Sequence, residues 1–406
     1  MRWYQNIFNP RYVSEDALAN LRLYKYGAVD RSYLSYYVLR HYWNWAAEWF
    51  PSWMAPNLIT LMGLGFPVLN LICMLVLTPD LVGPGAPWLY YSCSLGLWLY
   101  STFDNVDGKQ ARKTGTSSPL GELFDHGCDA LNCSIGALVQ AGAMGVGHTM
   151  YAAFLLLLTM LPFYLSTWEE YHTGVLYLGF MNGPTEGLVI ACICMALSGY
   201  YGPHIWTDDL RQLFGEKLVP SYVPQGFTIF HGMMLMMTVL MIFFHIPASL
   251  YNVYQACKSK NKPFLPATAQ LIPITILSLA GYLWLASPHS YILAHQHFSL
   301  FALAVGIVFG RVATKIILAH VTKQPFPMFT VLILPLIGGC VLTNLPLWLD
   351  VEPLLTARGE YWYLVGYLIF AAVAYAHWAL LVIDRFCKYL GISCLTIPHT
   401  KITKTQ

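Results

Sequence analysis

The chain has 406 residues, of which 57% are hydrophobic and only 10% charged, with a formal net charge of +2. A soluble domain carries about 25% charged residues; so few charges cannot cover a surface in water, which points to a bilayer as the solvent. Near-neutrality leaves no electrostatic footprint for nucleic acid, which is excluded as a partner.

In chain order, residues 1–30 are polar and aromatic and contain no short apolar core of the signal-peptide kind. Arg31 to Phe50 is rich in Tyr and Trp with a few charges, a composition that suits an amphipathic helix lying in the headgroup layer. Pro51 and Pro56 then break the chain. Ten apolar stretches follow, at roughly 58–79, 87–103, 121–147, 149–167, 187–202, 226–247, 268–286, 297–319, 328–348 and 361–384, each near the ~20 residues a spanning helix needs. The expected fold is therefore an all-α polytopic membrane protein. It has a cytosolic segment and interfacial helix over 1–50, a transmembrane domain over 51–385 and a cytosolic tail over 386–406. With the N-terminus in the cytosol, 17 of the 22 Lys and Arg fall in cytosolic segments and 3 opposite, with Arg311 and Lys315 inside the eighth span. That bias supports cytosolic termini and puts the polar segment after span two in the cytosol. The ten cysteines are scattered without metal-site spacing, Cys192 and Cys194 being the closest pair, and read as small embedded residues.

One stretch carries chemistry. Asp104 and Asp107, three apart, share a helix face, as do Asp125 and Asp129, four apart. Between the pairs, Lys113 to Pro119 is a Gly/Ser/Thr/Pro turn, so two helix ends pack side by side and four carboxylates converge. Four acids together repel and require a cation. Hard oxygen donors suggest Mg²⁺, with Mn²⁺ as a substitute, and such ions also bind substrate phosphates. Gly108 and Gly121 leave room for a ligand, and Arg112 offers a forked phosphate donor.

The pattern D-x-x-D-G-x-x-A-R, eight residues, then G-x-x-x-D-x-x-x-D resembles the signature of CDP-alcohol phosphotransferases. Every fixed position is matched, by Asp104, Asp107, Gly108, Ala111, Arg112, Gly121, Asp125 and Asp129. Met54-Ala-Pro-Asn57, Ser118 to Asp129 and Leu318-Ala-His320-Val-Thr-Lys323 are similar to the eukaryotic choline and ethanolamine phosphotransferase branch. That resemblance implies the last step of the Kennedy pathway: phosphocholine or phosphoethanolamine passes from CDP-choline or CDP-ethanolamine to diacylglycerol, releasing CMP. It also implies a homodimer in the endoplasmic reticulum or Golgi membrane, with two Mg²⁺ held by Asp104, Asp107, Asp125 and Asp129. Arg112 would hold a phosphate. Asn57 would contact the nucleotide, although alone it reads as a helix cap.

His126 is the expected base for the acceptor hydroxyl, since its ordinary pKa lies near neutrality; Asp129 is the alternative. Glu186, opening span five, is expected to orient or assist His126. Trp168, Glu169, Glu170, Tyr171 and His172 could receive the donor's ammonium group, or form an ordinary interfacial belt. Arg311 and Lys315 share a helix face toward lipid headgroups or acidic partners. The competing readings are a CDP-diacylglycerol-dependent phosphatidyltransferase and, in another class, a divalent-cation transporter. A transporter would disperse its acids across spans near the midplane, whereas these cluster at one end beside an Arg.

Overall fold

The structure, a computed structural model, describes residues 12–24, 27–180 and 182–397. Ten long helices carry it: α1 Pro56–Leu77, α2 Pro87–Lys113, α3 Pro119–Ala143, α4 Met150–Thr173, α5 Gly183–Tyr201, α6 Ile229–Ser259, α7 Leu265–Ala286, α8 Phe298–Val321, α9 Val331–Leu349 and α10 Ala357–Leu390. Eight of them are long and apolar enough to cross a membrane. The other two, α2 and α3, have 27 and 25 residues and carry the signature charges. The chain is thus an all-α multi-pass membrane protein. Among the described residues, strand is confined to β1 Ala28–Asp30 and β2 Leu176–Leu178, which pair in parallel with Ala28 opposite Leu176.

Local chemistry sets the helix ends. Pro56 and Pro87 open α1 and α2 at a position where no N–H is needed. Ser118, Thr149 and Thr356 cap α3, α4 and α10 by accepting from the N–H groups of Gly121, Ala152 and Gly359. Gly174 and Gly391 stop α4 and α10 in the left-handed conformation, at φ +81° and +65°. Several helices outrun the apolar stretches that announce them. The expected second span ends near 103, but α2 continues to Lys113, and α10 continues to Leu390, past the expected start of the tail. Charge ends an apolar run without ending a helix, because backbone hydrogen bonding continues into the aqueous layer.

Helix α8 is the axis of the bundle: 72% of its apolar window is buried, against 17% for α6 at the periphery. It meets α3 closely, because a Cβ at Gly306 would overlap Ser134 and one at Gly310 would press on Leu131. Small residues permit this approach where no hydrophobic drive separates protein from lipid. α3 also packs on α1 and α4, and α2 packs on α1 and α5, so the hairpin of α2 and α3 is held on several sides.

The N-terminal segment lies across this bundle. A π-helical turn Ser35–Leu39 leads into the helix Arg40–Glu48. Tyr36, Tyr37, Trp45 and Trp49 are exposed along it, while Trp43, Ala46 and Ala47 are buried. Trp98 of α2 donates to the Tyr42 hydroxyl at 3.0 Å, and Arg31 stacks over Tyr177 at 5.2 Å. All ten cysteines are free.

Candidate active site

The turn between α2 and α3 reverses the chain within five residues. Thr114 and Thr116 donate to the carbonyls of Gln110 and Ala111, both at 2.9 Å, and Gly115 takes φ +63°. The two helices then present their acids to each other. One oxygen from each of Asp104, Asp125 and Asp129 lies within 4.8 Å of the others. Asp107 lines the same cavity beside them. Two neighbours fix the carboxylates: Thr60 of α1 donates to Asp107 Oδ2, and Tyr100 of α2 donates to Asp129 Oδ1.

The charge of this group is not balanced by protein. Among the described residues, no Lys or Arg forms an ion pair with any of the four. Asp104 Oδ1 and Asp125 Oδ1 are buried without a hydrogen-bond partner among the described residues. Buried carboxylate oxygens left unpaired are unfavourable, and a hard divalent cation is the partner that suits an all-oxygen set. The residues present therefore fit a metal ion.

Around the acids lie the other residues that the sequence singles out. Arg112 is exposed and lines the same cavity, with its guanidinium over Gly108: a Cβ there would lie 3.5 Å from it. A Cβ on Gly121 would come within 3.8 Å of the Asn57 oxygen, so the bare backbone of α3 keeps this mouth open. Asn57 is the second residue of α1 and not its cap, a place that Ala55 takes. Its amide instead donates to Cys394 Sγ at 3.6 Å, from the segment after α10 that also borders the cavity. Burial holds the Cys394 thiol above its ordinary pKa, and the hydrogen bond from Asn57, which favours the thiolate, offsets part of that rise.

His126 is buried beside the acids, one residue past Asp125. Its Nδ1 faces Glu170 Oε2 at 3.9 Å. Glu186 lines the same cavity, but its oxygens accept from Ser32 and, at 3.0 Å, from the Asn182 N–H. It anchors the N-terminal segment to the start of α5, and the carboxylate that faces His126 is Glu170. Trp168 and Tyr171 do not line the cavity. Trp168 is fully buried and donates to Ala267 and Gln270 of α7, Tyr171 donates to Gln324, and His172 meets Gln270. These aromatics bind helices together and stand off the cavity wall, whereas Glu169 of the same stretch lines it. Arg311 lies 3.6 Å over the Trp378 ring and Lys315 donates to the Phe329 carbonyl, and among the described residues neither pairs with an acid. Thr60, Tyr100 and the pairing of Glu170 with His126 escape a reading of the sequence, because each contact joins segments with no spacing signal between them.

The acids open into a cavity of about 1880 Å³. Asn57, Lys109, Arg112 and Ser117 border its polar part, and Met144, Leu155, Phe163, Met233 and Met237 border an apolar arm reaching between α3, α4 and α6. One wall thus suits phosphates and the other suits hydrocarbon.

Comparison with known proteins decides the family. Residues 53–207 match the model of the CDP-alcohol phosphatidyltransferase domain. Choline/ethanolaminephosphotransferase 1 of Arabidopsis thaliana is 36% identical over 400 residues, covering 96% of this chain and 99% of the relative. Choline/ethanolaminephosphotransferase 1 of Saccharomyces cerevisiae is 34% identical over 406 residues, covering 97% and 99%. Cholinephosphotransferase 1 of the same yeast is 38% identical over 323 residues, covering 78% and 81%. The chain belongs to the CDP-alcohol phosphatidyltransferase family. The family domain takes in α1 to α5, and with them the four Asp residues, Arg112, His126 and Glu170. The apolar arm is completed by α6, outside the matched domain but inside the full-length similarity to the relatives.

Proposed function

We propose that this CDP-alcohol phosphatidyltransferase transfers phosphocholine, phosphoethanolamine or both from the CDP-alcohol to diacylglycerol, releasing CMP and forming phosphatidylcholine or phosphatidylethanolamine. The observation that carries the reading is the junction of an unbalanced four-carboxylate cluster with a cavity polar at one side and apolar at the other. Relatives with choline/ethanolaminephosphotransferase names, similar along the whole chain, support the substrate class.

In this reading Asp104, Asp107, Asp125 and Asp129 hold two Mg²⁺ ions, for which Mn²⁺ can substitute. When bound, such ions neutralise the diphosphate and stabilise the departing CMP. Arg112 grips a phosphate and Asn57 the nucleotide, while Gly108 and Gly121 keep side chains out of their way. The apolar arm takes the acyl chains, and the acceptor enters sideways past α6. His126 takes the proton of the acceptor hydroxyl at Nε2, because Nδ1 faces Glu170. The acceptor oxygen forms a bond to the β-phosphorus as the bond from that phosphorus to the bridging oxygen breaks, and the electron pair leaves with CMP. Glu170 orients the imidazole, and Glu186 holds the N-terminal segment at the cavity wall. The bias of basic residues supports a cytosolic active site, and the family resemblance supports a homodimer in the endoplasmic reticulum or Golgi membrane.

The test is CMP release by the purified protein in detergent with diacylglycerol, supplied in turn with CDP-choline and CDP-ethanolamine. We expect Mg²⁺-dependent release with at least one of them. Release only from CDP-diacylglycerol and a soluble alcohol, by folded protein, would instead make it a phosphatidyltransferase of the competing kind.

A further inference from the structure

A second cluster stands beside the signature acids and shares no residue with them. Glu122, Glu170 and His320 each offer one ligand atom, the three atoms lie within 4.8 Å of one another, and all three residues are buried. They come from the first turn of α3, the last turn of α4 and the last turn of α8, which meet at the signature end of the bundle. Helix ends place them there, so no sequence spacing announces the group.

Its polar bookkeeping is incomplete. The Glu122 side chain is 3% exposed, and its Oε1 has no hydrogen-bond partner although it lies 3.9 Å from His320 Nε2. The other oxygen accepts from Tyr24. Among the described residues, Glu170 has only His126, at 3.9 Å, within ion-pair range. Lys323, three residues past His320, makes no ion pair with either carboxylate among the described residues. A proton shared between Glu122 and His320 would satisfy one carboxylate and leave Glu170 to the long contact with His126 alone. A dication balances both.

We propose that Glu122, Glu170 and His320 form a binding site for a borderline divalent metal, Zn²⁺ above all, distinct from the all-oxygen signature cluster. Two carboxylates and one imidazole are a donor set that zinc takes with bonds of about 2.0–2.2 Å, leaving a fourth position for water. Such bonds place neighbouring donors about 3.4 Å apart, so side chains at the observed separations need only a small closure. Softer imidazole favours zinc over Mg²⁺, whereas the four Asp residues favour Mg²⁺. The ion would fix the carboxylate that faces His126, a positioning role of the kind outer ligands serve. This site stands whichever CDP-alcohol is the donor.

The experiment counts metal, not turnover. Full-length protein in detergent, in buffer with millimolar Mg²⁺, is incubated with a slight excess of ZnCl₂, desalted, and assayed by mass spectrometry of the elements. We expect about one zinc per chain in the wild type and in Asp104→Asn, since three protein ligands make a retained site. We expect zinc to be lost in His320→Gln and Glu122→Gln, whose folding is checked by gel filtration and thermal melting. Folded wild type that retains no zinc would overturn the proposal. So would equal zinc in His320→Gln and Glu122→Gln, or zinc lost in Asp104→Asn but kept in His320→Gln. Should both variants fail to fold, the wild type still decides: zinc displaced by excess Mg²⁺ would place it on the Asp cluster and refute the second site.

Discussion

Tyr100 and Thr60 hold two of the four signature carboxylates by their hydroxyls, and each removes freedom from a group whose oxygens, in the proposed reaction, face a cation. A hydrogen bond to a charged group contributes roughly 1.5–3 kcal/mol. Tyr100→Phe should therefore lower kcat by about tenfold or more, with little change in the diacylglycerol KM, since it loosens Asp129 and leaves the apolar arm intact. Steady-state kinetics in detergent measure this, and unchanged kcat would mean that Asp129 needs no help from Tyr100. His126→Ala should lower kcat by about 10²–10⁴, the range for a lost general base. Full activity in that variant would give the proton to Asp129. Glu170→Gln should fall between wild type and His126→Ala, because it leaves the imidazole in place but unoriented.

At the scale of elements, the site depends on how closely α3 and α8 cross. Gly306 faces Ser134 with no room for a Cβ. Gly306→Val should therefore destabilise the protein by about 1–3 kcal/mol, seen as a lower thermal midpoint in detergent. An unchanged midpoint would show that the crossing can relax. Much of this architecture is legible in the sequence: apolar length marks the helices, and the spacings 104/107 and 125/129 place the four acids on facing helix sides. Their convergence follows from the short turn between Lys113 and Pro119. Hydropathy misplaces the ends of α2 and α10, because it senses charge and not hydrogen bonding. The pairing of β1 with β2, and that of Ser32 with Glu186, joins segments about 150 residues apart and leaves no local pattern to read. For the same reason Glu170 reads as one acid in an aromatic cluster, although the fold turns it toward His126.

The whole molecule brings a water-soluble and a lipid-soluble reactant to one set of acids. Its cavity borders both the mouth at Arg112 and the methionine-rich face of α6. The peripheral α6, with most of its surface unburied, is where a lipid can approach from the side. Met237→Trp should fill part of the arm, raising the diacylglycerol KM several-fold while leaving the CDP-alcohol KM near its original value. Equal change in both KM values would mean that the arm does not take the acceptor.

The measurement that bears most directly on a metal-dependent transferase is CMP release with diacylglycerol and CDP-choline or CDP-ethanolamine, compared in Mg²⁺, in EDTA and after Mg²⁺ is restored. Asp104→Asn, shown by gel filtration to be folded, runs alongside. We expect turnover in Mg²⁺, none in EDTA, recovery on adding Mg²⁺ back, and at least a hundredfold loss in Asp104→Asn, the scale of removing a group that organises transition-state charge. Turnover that persists in EDTA, or a fully active Asp104→Asn, would contradict a reaction carried out at the signature acids.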